Sequence, residues 1–288
     1  MKRILIRHNT CYSFDSPVRL GPHTLLLRPR EGHDLRIASS ALDIFPKAVL
    51  TYRRDLYENV LGVATFGDES VTELTIESRV KVELYETTPL NFHVEDHALY
   101  FPFRYEPEER AGLLPYLESV YGDNRRVGDW LASYRQVSAS TETFTVLDRM
   151  NRQIPAEIAY EARNEAGVLN PAETLRRGRG SCRDLAALFL ESCRRLGIAA
   201  RFVSGYVHGP STEIGGAASH AWAEVYLPGA GWKGFDPTNA AIVGPNHITV
   251  AVHRNPEAIP PVAGNFTGPE GVSSAPRVNV QISALQDL

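Results

Sequence analysis

Cysteine is scarce in this chain: there are three, at positions 11, 182 and 193. The count is odd and no two sit at the paired spacing of metal ligands, which argues against a disulfide framework and a zinc ribbon. No basic tract stands out. The net charge is −4 and the pI near 6.2, so nothing points to nucleic-acid binding. No run of about 18 consecutive apolar residues occurs, so no transmembrane helix is expected. Residues 1–14 carry Lys2, Arg3, Arg7 and His8 and lack the uninterrupted apolar stretch of a signal peptide. A cytoplasmic protein without membrane or nucleic-acid partners is therefore expected. No internal repeat is visible. His8, His23 and His33 do not cluster tightly enough in sequence for a metal site.

What is present suits a globular protein. Hydrophobic residues make up 43% and charged residues 22%, enough apolar material for a core. The 288 residues fit one large domain or two modest ones. Strand-like runs cover residues 2–12, 23–30, 35–44, 49–55 and 71–85. In the last run Leu74, Ile76, Val80, Val82 and Leu84 alternate with mostly polar residues, the period of a half-buried strand. Ser16-Pro17, Gly21-Pro22, Glu31-Gly32 and Gly67-Asp68 read as turns between runs. An N-terminal antiparallel β-domain over residues 1–110 follows, with a sandwich as the expected form.

Prolines at 102, 107 and 115 punctuate the chain after that. Residues 111–139 form the connecting segment, with a helix near residues 127–134. Ser140 is the expected N-cap of a helix carrying Phe144, Val146, Leu147 and Met150 and ending before Pro155. Asn170-Pro171 opens a short helix. Leu185, Leu188, Phe189, Cys193 and Leu196 then recur at helical spacing, with Arg194 and Arg195 in the last turn and Gly197 at the stop. Cys182 falls at the start of this buried helix. Strand-like runs at 200–208, 221–227 and 232–235 come next, the last two joined as a tight hairpin. Residues 140–255 make the second domain, an α+β unit. Residues 256–288 are rich in Pro and Gly and read as an extended tail with a last strand at 278–282.

Chemistry centres on Cys182. A helix N-terminus favours a thiolate and offers unsatisfied N–H groups to an oxyanion. Gly178 and Gly180 leave room for a substrate carbonyl. Taken alone, Cys182 is as readily a small buried residue at a helix start. His220 opens one hairpin strand and Asp236 ends the next, so the carboxylate can reach one imidazole nitrogen while the other faces the thiol. Without that pairing, His220 is one turn histidine among nine and Asp236 the first residue of an Asp-Pro turn. Asp184, in the first helical turn, is expected to support the helix start. Trp222 shares the His220 side of its strand and either walls the site or fills core. Glu224 continues that face and Arg201 is its candidate partner. Tyr160 is a candidate lining residue. Cys193, on the apolar helix face, is expected to be inert.

Four blocks carry a resemblance: Gly-Ser-Cys-Arg-Asp-Leu-Ala at Cys182, Leu-Gly-Ile-Ala-Ala-Arg-Phe-Val-Ser-Gly-Tyr, His-Ala-Trp-Ala-Glu-Val-Tyr at His220, and Phe-Asp-Pro-Thr-Asn at Asp236. In this order they resemble the core of the transglutaminase-like superfamily, which has a papain-like fold with the nucleophile helix packed on an antiparallel sheet. Tyr-Ser-Phe-Asp-Ser-Pro-Val and His-Thr-Leu-Leu-Leu-Arg-Pro-Arg resemble the β-domain preceding that core in a bacterial branch described as cysteine proteases. The family often has an apolar residue before the nucleophile; here it is Ser181. The resemblance implies Cys182 as nucleophile, His220 as general base and Asp236 as orienting acid, with no cofactor or metal. It implies a peptide or protein substrate and a thioester acyl-enzyme. Hydrolysis as a thiol peptidase or amidase is the expected outcome, since neither a calcium-loop pattern nor a chain of further β-domains is seen. Amine transfer and a non-catalytic scaffold or binding module are the alternatives.

Overall fold

The computed structural model describes residues 1–85, 90–122, 125–136, 138, 140–163, 165–209 and 219–285. The fold is α+β with antiparallel sheets, as expected. The N-terminal part holds β1 (Lys2–Leu25), β2 (Leu35–Phe45), β3 (Val49–Arg54), β4 (Val60–Thr65) and β5 (Ser70–Leu84). They join in the order β2-β5-β1-β4-β3. On β5 the alternating residues Leu74, Ile76, Val80, Val82 and Leu84 are all buried, as their period dictates. Each such side chain contributes roughly 1.5–3 kcal/mol by leaving water.

Two expected turns are not turns. Ser16-Pro17 and Gly21-Pro22 lie within one continuous 24-residue strand, β1. Its register shifts between Ser13 and Val18 against β5, and between Leu20 and His23 against β13 (Val262–Thr267). Proline cannot donate to a ladder, and a bulge removes that demand without turning the chain. The element is therefore one bent seven-stranded sheet rather than a sandwich.

Residues 262–267 and 274–284 complete that sheet. β13 and β14 (Ser274–Ala284) both pair antiparallel with β1, and β14 runs from Ile4↔Ala284 to Phe14↔Ser274. The tail thus contributes two strands, longer than the single one read at 278–282.

The second part begins with helices. α1 (Asp96–Leu99) and α2 (Pro107–Leu117) lie in the proline-punctuated stretch. Pro107 sits at the first turn of α2, where its missing N–H costs nothing. α3 (Arg125–Trp130) and α4 (Ala132–Arg135) occupy the region read as one helix. α5 (Thr143–Glu157) starts later than read: Glu142 is its N-cap, while the Ser140 hydroxyl is engaged with Ser138 Oγ at 2.8 Å. Pro155 lies inside the last turn of α5 instead of after it, and the Ile158 N–H still reaches the Ile154 carbonyl at 2.8 Å.

α6 (Pro171–Arg177) and α7 (Cys182–Arg195) follow, separated by the two-residue strand β7 (Arg179–Gly180), which pairs parallel with β6 (Ala159–Tyr160). β8 (Ala200–Val207), β9 (His220–Leu227), β10 (Gly231–Asp236), β11 (Ala241–Ile242) and β12 (His247–His253) form an antiparallel sheet ordered β11-β10-β9-β8-β12. α7 packs across β8 and β9, and Phe189 stacks on Phe235 with centroids 5.3 Å apart.

The two parts share one core. Ile4, Ile6, Val80 and Val82 of the first sheet pack in one cluster with Tyr206, Ile248 and Val250 of the second. His8 Nδ1 lies 3.0 Å from the Tyr206 hydroxyl within it. The β12 edge is also covered: Arg30 N–H donates to the Thr249 carbonyl, and the Asn59 side chain bonds both the Val252 N–H and carbonyl. That satisfies groups that an edge strand otherwise leaves open. Among the described residues no helix is long and apolar enough to cross a membrane.

Candidate active site

Local sequence fixes the turn that carries Cys182. Asn170 caps α6 by accepting from the Ala172 N–H, and Gly178 ends that helix at φ 64°, a left-handed conformation suited to glycine. Gly180 admits close packing, since a Cβ there would lie 2.9 Å from Asp184 Cβ. Ser181 is the N-cap and Cys182 the first residue of α7. At that position the Cys182 N–H has no partner within the helix.

Asp184 holds this turn in place. Its buried carboxylate accepts from Ser181 N at 2.8 Å, Leu169 N at 2.7 Å and Arg163 Nε at 2.9 Å. Burial pushes the carboxyl pKa up, but the Leu169 and Ser181 N–H groups and Arg163 outweigh it, and the group sits below its ordinary value. Asp184 is thus a structural support of the helix start, turned into the protein and not toward a substrate.

The hairpin of β9 and β10 brings His220 and Asp236 together. The pairing Phe235↔Ala223 sets Asp236 next to the start of β9, and His220 Nε2 lies 2.8 Å from Asp236 Oδ2. The Cys182 thiol lies close enough to the His220 ring to help raise its pKa. With Nε2 on the carboxylate, Nδ1 is the nitrogen left for the thiol. Burial disfavours a charged His220, yet Asp236 and Cys182 outweigh that and its pKa is pushed up to about 10. Asp236 is fully buried, which raises its pKa, but donation from His220 and His247 wins and holds it well below the ordinary carboxylate range.

Two residues around Asp236 escaped the sequence reading. His247, the first residue of β12, lies with Nε2 3.2 Å from Asp236 Oδ2. The Gly244 N–H donates to its Nδ1, so the proton sits on Nε2 and points at the carboxylate. Asn239 Nδ2 donates to the same oxygen at 2.7 Å. The Thr238 and Asn239 N–H groups bond Oδ1 at 3.0 and 3.3 Å, the turn expected of Asp-Pro. Asn239 was visible inside the Asp-Pro-Thr-Asn block. His247 had no signal, because the crossover to β12 brings it in. Arg163 was likewise missed.

Trp222 is fully buried, with its ring 6.1 Å from His220 and 5.2 Å from His247. It backs both imidazoles and does not line an open surface. Tyr160 is 44% exposed, on β6, whose partner β7 leads into the turn that carries Cys182. Glu224 pairs with Arg201 at 2.6 Å, the expected partner. Cys193 is fully buried, and burial pushes its thiol pKa well up. Cys182, His220 and Asp236 therefore converge, Asp184 and Trp222 lie behind, and Tyr160 is on the short strand beside the Cys182 turn.

Residues 132–237 match the transglutaminase-like superfamily, and residues 4–83 match the bacterial transglutaminase-like N-terminal region. An uncharacterized protein of Mycobacterium leprae is 25% identical over 278 residues, covering 93% of this chain and 94% of its own. An uncharacterized protein of Mycobacterium tuberculosis is 27% identical over 277 residues, covering 91% of this chain and 87% of its own. The crystal structure of a "putative cysteine protease" from Cytophaga hutchinsonii superposes with a TM-score of 0.75 at 16% identity, covering 99% of this chain and 91% of that one. That likeness is one of fold.

Proposed function

We propose that this chain, which belongs to the transglutaminase-like superfamily, is a thiol-dependent acyl-transfer enzyme that hydrolyses a peptide or amide bond. The observation that carries the reading is the grouping of three side chains: His220 bonded through Nε2 to Asp236 at 2.8 Å, with the Cys182 thiol near enough to its ring to help raise its pKa. Nucleophile, base and orienter in that order are what acyl transfer requires.

The steps follow from this order. The Cys182 proton passes to His220 Nδ1, which forms the charged ring, and Sγ then attacks the substrate carbonyl carbon. The carbonyl π electrons move to oxygen, and the N–H groups at the start of α7 face that developing charge. Collapse re-forms the carbonyl and breaks the C–N bond, and the leaving amine takes the proton from His220. A thioester remains. Water then attacks it, His220 takes the water's proton, and the C–S bond breaks to return the thiol. Asp236 keeps the ring in the required tautomer and stabilises its charged form.

Water is taken as the resolving nucleophile. Free thiols at Cys11, Cys182 and Cys193 suit a reducing compartment, and we assign the protein to the cytoplasm with a peptide or protein as substrate.

The test is intact-mass spectrometry after exposure to activated acyl esters and a peptide panel, with and without a lysine side-chain analogue. A transient acyl adduct on Cys182 that yields free acid is the expected result. An adduct resolved only by the amine would make the enzyme a transferase. Absence of any adduct, or one that persists in Cys182→Ala, would remove the reading.

A further inference from the structure

One oxygen of Asp236 serves three donors. His220 Nε2 lies 2.8 Å from Oδ2, Asn239 Nδ2 2.7 Å and His247 Nε2 3.2 Å. A carboxylate oxygen offers about two lone-pair sites, so the three compete. His220 belongs to the chemistry and Asn239 to the Asp-Pro turn. His247 comes from another strand, and neither the turn nor the acyl-transfer steps call for it.

The placement of His247 is specific. It opens β12, which pairs with β8, the strand next to β9. The Gly244 N–H donates to its Nδ1 at 3.3 Å, and its own backbone N–H donates to the Gly244 carbonyl at 2.8 Å. The ring is thus clasped by its own turn, and the hydrogen on Nε2 is aimed at Oδ2. Trp222 packs against both imidazoles, edge-on to His247 at 5.2 Å and tilted on His220 at 6.1 Å. The His247 side chain is only 8% exposed, so little water reaches the bond.

We propose that His247 is a positioning residue of the acyl-transfer site: by sharing Oδ2 it loosens the hold of Asp236 on His220, so that the charged ring can return its proton to the leaving amine. The proposal rests on the thiol-dependent reading given above. A donor to the carboxylate lowers its affinity for any other proton, and so weakens its bond to the imidazolium. With His247 removed, Oδ2 is left to His220 and Asn239, and the charged ring becomes harder to discharge. The other titratable groups of this set are Cys182 from α7, His220 from β9 and Asp236 from β10. β8 sets Gly205 opposite His220, and Tyr160 on β6 is common to every variant below.

The experiment follows the alkylation rate of Cys182 by iodoacetamide in the full chain, read by peptide mass from about pH 4 to 11, for wild type and three variants. His247→Phe keeps a ring against Trp222 and removes the donor. His247→Asn keeps an acceptor for the Gly244 N–H but is too short to reach Oδ2, and it serves if the Phe variant fails to fold. His247→Gln restores an N–H at the reach of Nε2. The upper inflection, where the ring loses its proton, should rise by about 0.5–1 pH unit in the Phe and Asn variants. It should return to the wild-type position in the Gln variant, with circular dichroism unchanged throughout. An ion-pair profile in wild type that is identical in the Phe and Asn variants overturns the proposal and leaves the function standing. A Gln variant that follows the Phe variant also overturns it, because the effect is then one of packing. A wild-type Cys182 that titrates as an ordinary thiol overturns the function and the proposal with it.

Discussion

At the scale of single residues, Asp236 is the most heavily bonded group of the site. His220, His247 and Asn239 all donate to Oδ2, and two backbone N–H groups hold Oδ1. Asp236→Asn replaces an acceptor by a donor and turns His220 to the wrong tautomer. Turnover should fall by roughly 10³–10⁴-fold with the fold intact, read as kcat beside circular dichroism. The His220 pKa, pushed up to about 10, also predicts a pH dependence. Its folded value lies above the ordinary 6.5 or so. The stabilisation it brings is therefore fully present below about pH 6.5 and is lost as pH rises through about 10. Urea unfolding across that window should show wild type losing stability relative to His220→Gln; parallel curves would exclude the pairing. Alkylation separates the thiols. Buried Cys193 should label only on unfolding, while Cys182 labels in the native state, read per cysteine by peptide mass. Equal native rates would remove Cys182 as the reactive thiol.

At the scale of elements, the start of α7 depends on a residue 19 positions upstream of Cys182. Arg163 is only 10% exposed and pairs with Asp184, which has no exposure. Removing one partner of a buried pair leaves the other charge uncompensated. Arg163→Ala should cost about 3 kcal/mol in urea unfolding and should lower turnover through the displaced helix start. A loss under about 1 kcal/mol would mean that the Leu169 and Ser181 N–H groups hold Asp184 unaided. The helix itself was readable because its apolar positions repeat at helical spacing and its caps obey local rules. α2 was not, because only Leu113 among its residues is buried and no periodic face announces it.

At the scale of the whole molecule, one hydrophobic cluster runs from Ile4 and Val82 to Tyr206 and Ile248. The chain should therefore unfold in a single transition. Trp130, Trp222 and Trp232 all lie beyond the N-terminal strands β1–β5, so tryptophan fluorescence reports the second part while far-UV circular dichroism reports both sheets. Coincident midpoints are expected; two separated midpoints would mean that the halves are held together only weakly. β13 and β14 close one side of β1, so a chain ending at residue 258 should lose hydrogen-exchange protection along β1.

Period two along β5, period 3.6 along α7, and the caps at Asn170 and Ser181 are set by forces acting between near neighbours, and the amino-acid order alone determined them. The approach of His220 to Asp236 was also determined there, because a tight hairpin fixes its own register. What lay outside is all long-range. His247 reaches Asp236 across a crossover, Arg163 reaches Asp184 from a loop, and residues 262–284 return to a strand that began at residue 2. Each brings distant segments together against chain entropy. The gain that offsets it, burial in a shared core or a satisfied buried charge, exists only once the whole molecule has closed.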